Sequence, residues 1–317
     1  TQARALGCRV FALTGGEPLV HPEFAGIVDF LLEDKGAHVV VLTNGTLVQD
    51  YAQALSRWPA DRLHLQISVD GLGANHDHLR GRGAFAALQD NLAWLKAQQI
   101  AFTLSMCVNA DNVADMPRLA DFAAEMRAVN LHFLWYFRRG RGAADRFAPP
   151  AAMLPYVLEA VQRARATGLS IDNLEVLLGQ IFAPSGTRHD GTGSGWESLA
   201  VGPDGRIYPS PALVGVEALA TDLKPDLATA WRRSPVLEKL RQASAMSLTS
   251  PWRFLLGGGD PDHSYLSGGD WIGQDPYLPL YEHLALWLIA QEAGRQPGSN
   301  GLPGLRLKMG DILKSCG

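Results

Sequence analysis

Leu13-Thr14-Gly15-Gly16-Glu17-Pro18-Leu19 closes an apolar, strand-like run (residues 8–13) and leads into a segment with helical spacing. Two glycines, an acid and a proline at a strand's exit describe backbone held open beside a ligand. Glycine permits dihedrals and close approaches that a Cβ forbids, and Pro18 fixes its own φ while pushing Glu17 toward an extended conformation. The same four residues also suit a plain strand-to-helix turn. What ends the following strands therefore decides the reading.

Apolar runs recur at 38–42, 63–69, 102–108 and 131–137. Between them, 24–33, 51–58, 85–96 and 116–126 carry apolar residues three and four apart, the helical period. Such short strand-helix alternation predicts an α/β chain, a parallel sheet built from right-handed crossovers. In such sheets ligands sit at the carboxyl ends of the strands. Those ends read Thr14-Gly15-Gly16-Glu17-Pro18, Thr43-Asn44-Gly45-Thr46, Ser68-Val69-Asp70-Gly71, Cys107-Val108-Asn109 and Arg138-Arg139-Gly140-Arg141-Gly142. A polar tail, His76-Asp77-His78-Leu79-Arg80-Gly81-Arg82-Gly83, follows the third. Each alone is ordinary turn chemistry; five on one rim indicate a site. For His76, Asp77 and His78 the expectation is partial exposure at a helix entry rather than metal binding.

With these residues in view, the chain resembles the radical S-adenosylmethionine (radical SAM) superfamily. The branch it resembles most carries a C-terminal SPASM or twitch extension and includes sulfatase maturases and peptide-modifying enzymes. The resemblance is good over 8–142 and looser over 196–265. It implies a partial (β/α)6 barrel over residues 1–168, a SPASM/twitch-like α+β region over 169–293, and a linker with a terminal segment over 294–317. It also implies that Gly15, Gly16, Glu17 and Pro18 hold the methionine ammonium of SAM, which needs carbonyls and a carboxylate. Ser68 and Asp70 would face the methionine carboxylate and the ribose hydroxyls. Arg80 would be the cation for that carboxylate, with Arg82 as competitor. Thr43 and Asn44 would lie near the sugar, and Asn109 near the sugar or adenine. No catalytic residue is assigned.

The family's chemistry needs a [4Fe-4S] cluster on a Cys-x3-Cys-x2-Cys loop, whose open iron chelates SAM for cleavage to a 5′-deoxyadenosyl radical. That loop would precede Thr1. Only Cys8, Cys107 and Cys316 are present. The first two fall in apolar strands, where a structural thiol is expected. Thr1 replaces an initiator Met and residues 1–6 read like a helix end, so a fragment lacking its start is expected. This fragment would be inactive alone.

Three isolated cysteines make neither a disulfide framework nor a zinc pattern, and this favours a reducing, cytoplasmic setting. A net charge of −4 and 47% hydrophobic residues exclude a disordered or nucleic-acid-coating chain. No apolar run is long enough for a bilayer, so neither membrane nor nucleic acid is an expected partner. A peptide or protein substrate is, together with a reductant such as flavodoxin or ferredoxin.

In the second half an Ala-rich helix is expected over 151–167 and a less regular stretch over 169–183. A Gly-rich loop at 187–195 lacks the context of a phosphate loop. Pro203-Asp204-Gly205 between two β-like runs predicts a hairpin. It resembles the one opening the auxiliary domain, although Ser210 stands where the family has cysteine. The segment from Ser250 to Asp260 also lacks the family's thiols, so an auxiliary fold without its usual cluster is expected, or one with a cluster completed beyond Cys316. Asp260-Pro261-Asp262-His263 admits three readings: a metal site, a turn satisfying its own backbone, or a substrate contact. Residues 276–293 predict a strongly amphipathic helix, and 294–304 a linker. Arg138, Arg139 and Arg141 suit either a solvated rim or the attraction of an acidic peptide.

The leading reading is a radical SAM enzyme acting on a peptide or protein side chain. A degenerate, non-catalytic SAM- or peptide-binding homologue is the second. A (β/α) metal-dependent hydrolase or lyase using Asp260 and His263 is the third.

Overall fold

In the computed structural model the apolar runs become parallel strands paired in the order in which they occur. The structure describes residues 1–139, 146–182 and 193–295. In chain order the first part comprises α1 (Gln2–Ala5), β1 (Val10–Leu13), α2 (Phe24–Leu32), β2 (His38–Thr43), α3 (Ala52–Arg57) and β3 (Leu63–Ser68). Then come α4 (Ala74–Arg80), α5 (Ala84–Ala97), β4 (Phe102–Val108), α6 (Met116–Glu125), β5 (Asn130–Trp135), α7 (Pro150–Thr167) and β6 (Ser170–Ile171). The remainder is α8 (Asp172–Phe182), β7 (Ala200–Val201), β8 (Ile207–Tyr208), α9 (Leu227–Arg233), α10 (Pro235–Gln242), α11 (Arg253–Leu256), α12 (Pro261–Gly268) and α13 (Leu278–Arg295). Two compact units result: Thr1–Tyr136 with Tyr156–Asp172, and Phe137–Pro155 with Asn173–Gly317.

In the first unit the sheet order is β1-β2-β3-β4-β5-β6, every pair parallel. Right-handed crossovers that always step to the next neighbour put every connecting helix on the same face. The burial pattern agrees. Val41, Leu65, Ile67, Leu104, Met106 and Phe133 share one face through the strand register and are at most 2% exposed. Burying side chains of this size contributes about 1.5–3 kcal/mol each. In β2 and β3 the alternate residues are only half-buried. This is the α/β architecture with a parallel sheet expected from the sequence.

The second unit is α+β in content. Its antiparallel pair β7–β8 closes through Pro203-Asp204-Gly205, with Gly205 at φ +75. Asp204 accepts from the Tyr208 hydroxyl (2.6 Å) and Arg206 Nε (2.8 Å). Those bonds, the tyrosine's foremost, hold its carboxyl down at about 2. Tyr208, Leu213, Leu219, Leu240 and Trp271 form the hydrophobic core around the hairpin.

Several expectations are corrected. The first strand starts at Val10 rather than at residue 8, because its pairing with β2 begins at Val10↔His38. Cys8 therefore lies outside the strand, half-buried. The polar tail after β3 is a helix, α4, and Gly81 at φ +109 ends it. Residues 169–183 are not irregular: they hold β6, two residues long and too short for a periodic signal, and the helix α8. The last helix is present as α13 but is not strongly amphipathic. No residue from Leu280 to Ala290 is exposed, so the second unit encloses it. No helix among the described residues is long and apolar enough to cross a membrane.

Candidate functional site

Glu17 ties the exit of β1 to the exit of β2. Its carboxylate accepts from Leu19 N (3.2 Å), Thr43 Oγ1 (2.7 Å) and Asn44 N (2.7 Å). The buried Thr43 hydroxyl in turn accepts from Gly45 N (3.0 Å). Asn44 Oδ1 accepts from the backbone and side chain of Thr46. A carboxylate offers about four lone-pair positions, and three are used here. Gly15 adopts φ +129, a conformation that favours glycine. A Cβ placed at Gly15 or Gly16 would meet no atom within 4 Å, so this backbone presents an open face.

A second knot lies at the exits of β3 and β4. Asp70, 7% exposed, takes Arg80 Nε on Oδ2 (2.6 Å) and Cys107 N on Oδ1 (3.3 Å). The terminal nitrogens of Arg80 carry no hydrogen bond among the described residues. Asn112, fully buried, donates from Nδ2 to Cys107 O (2.9 Å) and Asp70 O (3.3 Å), and accepts from Asn109 N (2.8 Å). Asn109 Oδ1 accepts from Asp111 N (2.9 Å), an Asx turn. Asp115 Oδ2 holds Leu72 N (2.9 Å) and Asn75 Nδ2 (2.8 Å). His76 is not partly exposed as expected: it is 4% exposed, and its Nδ1 accepts from Asp70 N (3.1 Å). Burial pushes its pKa down, consistent with a neutral acceptor. Asp77 caps α5 through Phe85 N and Gly83 N, and those bonds lower its pKa.

The structure thus brings Glu17, Thr43 and Asn44 together, and separately Asp70 and Arg80. Ser68 ends β3 beside Ser105, and Asn109 shapes the β4 exit loop. Asn112 and Asp115 escaped the sequence reading, since a polar residue four to seven positions past a strand looks like any loop residue until its partners are known.

The described residues do not fit a [4Fe-4S] cluster. Such a cluster needs three convergent thiolates. Cys8 and Cys107 are free thiols, and Cys107 is pushed up to about 12, chiefly by burial. Among the described residues no group of three Cys, His, Asp or Glu is placed to hold a metal. Cys316 lies outside the described residues, as do Gly140, Arg141, Gly142, the loop up to residue 192 and the terminal segment from residue 296.

In the second unit Asp260 is a helix cap rather than a metal ligand. Its Oδ1 accepts from His263 N (2.9 Å) at the start of α12, and its backbone N–H donates to Asp275 Oδ2 (2.8 Å). His263 lies flat on Phe137 (3.9 Å between centroids) and edge-on to Tyr277 (4.9 Å). Burial pushes its pKa down to about 3. This corrects the metal reading of the segment. Arg139 donates to Ala212 O (2.5 Å) and Val214 O (2.7 Å), and Arg138 stacks on Phe147 (3.7 Å). Arg139 is thus tied to backbone carbonyls, whereas Arg138 stays exposed. The Ser210 hydroxyl is buried without a hydrogen-bond partner, packed rather than ligating.

Residues 1–123 match the model of the radical SAM superfamily. Over that stretch the chain is similar to the radical SAM superfamily. Among similar proteins are the antilisterial bacteriocin subtilosin biosynthesis protein AlbA of Bacillus subtilis, 29% identical over 74% of this chain and 51% of AlbA, and the PqqA peptide cyclase of Streptomyces rochei, 27% identical over 90% of this chain and 80% of the cyclase. The chain therefore spans about half the length of AlbA. Among solved structures, native anSMEcpe with bound AdoMet and Kp18Cys peptide superposes with a TM-score of 0.72, at 18% identity, over 89% of this chain and 83% of that one. That likeness concerns the fold. The matched residues fall in the first unit.

Proposed function

We propose that the chain is the SAM-holding part of a radical SAM enzyme that modifies a peptide or protein side chain. The observation that carries this reading is the pair of knots at the exits of β1–β4, built from the residues the family motif singles out. The open backbone of Gly15 and Gly16, with the remaining lone pair of Glu17, suits the methionine ammonium. Pro18 opens the short 3-10 turn that follows and leaves Glu17 extended. The terminal nitrogens of Arg80, on the arginine held by Asp70, suit the methionine carboxylate, with Ser68 at the end of β3. Asp70, held in place by Cys107 N and Arg80, presents oxygens to the ribose hydroxyls. Thr43 and Asn44 border the sugar, and Asn109 the sugar or adenine.

The activity proposed is reductive cleavage of SAM to a 5′-deoxyadenosyl radical, with flavodoxin or ferredoxin as the reductant. The cluster for that step is not held by the residues described. The peptide substrate is supported by two similar proteins, one a PqqA peptide cyclase and the other a bacteriocin biosynthesis protein. Anaerobic reconstitution of the intact protein with iron and sulfide, followed by assay for 5′-deoxyadenosine, tests the reading. Iron-dependent absorbance with SAM cleavage supports it.

A second reading follows from the thiol inventory: a non-catalytic homologue that binds SAM or a peptide. It predicts SAM binding with no 5′-deoxyadenosine from the intact protein.

A further inference from the structure

Parallel strands are usually apolar on both faces because both are packed. The sheet of the first unit departs from this rule on one face. The strand register sets Gln66, Thr103, Asn130 and Ser170 side by side across β3–β6. One pleat nearer the carboxyl ends it sets Ser68, Ser105 and His132 in a second row. Neighbouring strands lie about 4.8 Å apart, so this row spans roughly 10 Å. It is the face opposite the one carrying Ile67, Leu104 and Phe133, and right-handed sequential crossovers leave it without connecting helices.

The two rows differ in how their polar groups are satisfied. In the first, Thr103 Oγ1 is bonded to His64 Nε2 (2.7 Å) and to the Asn130 side chain. In the second, His132 Nδ1 is held by both carboxylate oxygens of Asp172 (2.9 and 3.0 Å). That contact directs the imidazole's Nε2 away from the carboxylate, on a side chain 28% exposed. Ser105 is 7% exposed, and its hydroxyl, like those of Ser68 and the Gln66 amide, has no hydrogen bond among the described residues. A polar group on a sheet face without an internal partner must find one from outside the protein, water or a ligand.

We propose that Ser105, Gln66 and the His132–Asp172 pair form the seat for a neutral, hydrogen-bonding side chain of the peptide substrate, a hydroxyl or a carboxamide. The proposal rests on the reading that a substrate meets SAM at the carboxyl ends of these strands, since Ser68 and Asp70 continue the same strand upward. A hydroxyl or carboxamide offers a donor to His132 Nε2 and an acceptor to the serine hydroxyl. An apolar side chain would leave Ser105 and Gln66 unsatisfied. A carboxylate would face Asp172 with no lysine or arginine on β1–β6 to balance it.

The test uses the folded full chain and blocked amino acids as probes: the N-acetyl amides of serine, threonine, glutamine, leucine, glutamate and lysine. Binding is read by NMR from the His132 imidazole nitrogens, with and without SAM. The serine, threonine and glutamine amides are expected to shift the Nε2 resonance saturably. Ser105→Ala and Gln66→Leu are expected to weaken them about fivefold, the loss of one neutral hydrogen bond. Leucine or glutamate amide binding as well as serine amide, lysine amide binding best, or an Nε2 signal unmoved by every probe would each overturn the proposal. The SAM-free arm keeps the two readings apart. Selectivity there without any SAM binding counts against SAM holding alone, whereas SAM binding with no selectivity counts against the seat alone.

Discussion

Glu17 concentrates three hydrogen bonds from two strand exits on one half-buried carboxylate, so its charge matters as much as its shape. Glu17→Gln keeps the size but turns an NH2 group toward an amide donor. We expect a loss of about 1–3 kcal/mol in urea-unfolding stability, together with weaker SAM binding. No change in either would remove the staple from the account. Asn112 is the corresponding knot on β3 and β4, and Asn112→Ala strands three buried backbone groups. Cys107 makes a kinetic prediction. With its pKa pushed up to about 12, its thiolate is scarce at neutral pH. In mass-spectrometric alkylation of the folded chain it should react far more slowly than Cys8, and denaturation should remove the difference.

At the scale of elements the strand exits are shaped by backbone room as much as by side chains. Gly45 sits at φ +77, and a Cβ there would lie 2.8 Å from Ile67 Cγ2. Gly45→Ala is therefore expected to destabilise the β2 exit, lowering the unfolding midpoint. Gly16 is the opposite case: a Cβ meets nothing within 4 Å, so Gly16→Ala should leave thermal stability unchanged while weakening SAM binding. Equal effects of the two substitutions on stability would contradict the geometry. These elements also show what a single sequence makes legible. Strands β2–β5 and the exits Gly15–Pro18, Thr43–Asn44 and Asp70 were readable because periodicity and turn residues are local signals. The two-residue β6, the bond from Asp260 N to Asp275 and the bond from Asn112 to Asp70 O were not. The first needs its partner strand β5, and the other two join residues 15 and 42 apart in the chain; local pattern carries no record of such distances.

At the scale of the whole molecule, buried titratable groups gather in the second unit and give its stability a pH dependence of mixed sign. Burial raises Asp275 to about 6, and burial with the neighbouring Asp262 and Asp275 raises Asp260. A raised carboxyl contributes stability below its unfolded value near 4, and that contribution is lost as pH climbs through 6. His263 works the other way. Its folded value of about 3 lies below the unfolded 6.5, so its contribution is present above 6.5 and is lost as pH falls. The two oppose one another between about pH 4 and 6.5, and substitution should separate them. In His263→Phe, hydrogen-exchange protection around α12 should rise from pH 7 to pH 5. In Asp275→Asn it should fall. The same slope in both variants would refute the assignment.

The central claim is that the exits of β1–β4 hold SAM. Equilibrium dialysis of labelled SAM against the folded chain tests it most directly. The account predicts one saturable site per chain, lost or weakened at least tenfold in Asp70→Ala while circular dichroism still reports a folded protein. Folded wild-type chain that retains no SAM, or Asp70→Ala that binds it as well as wild type, would contradict it.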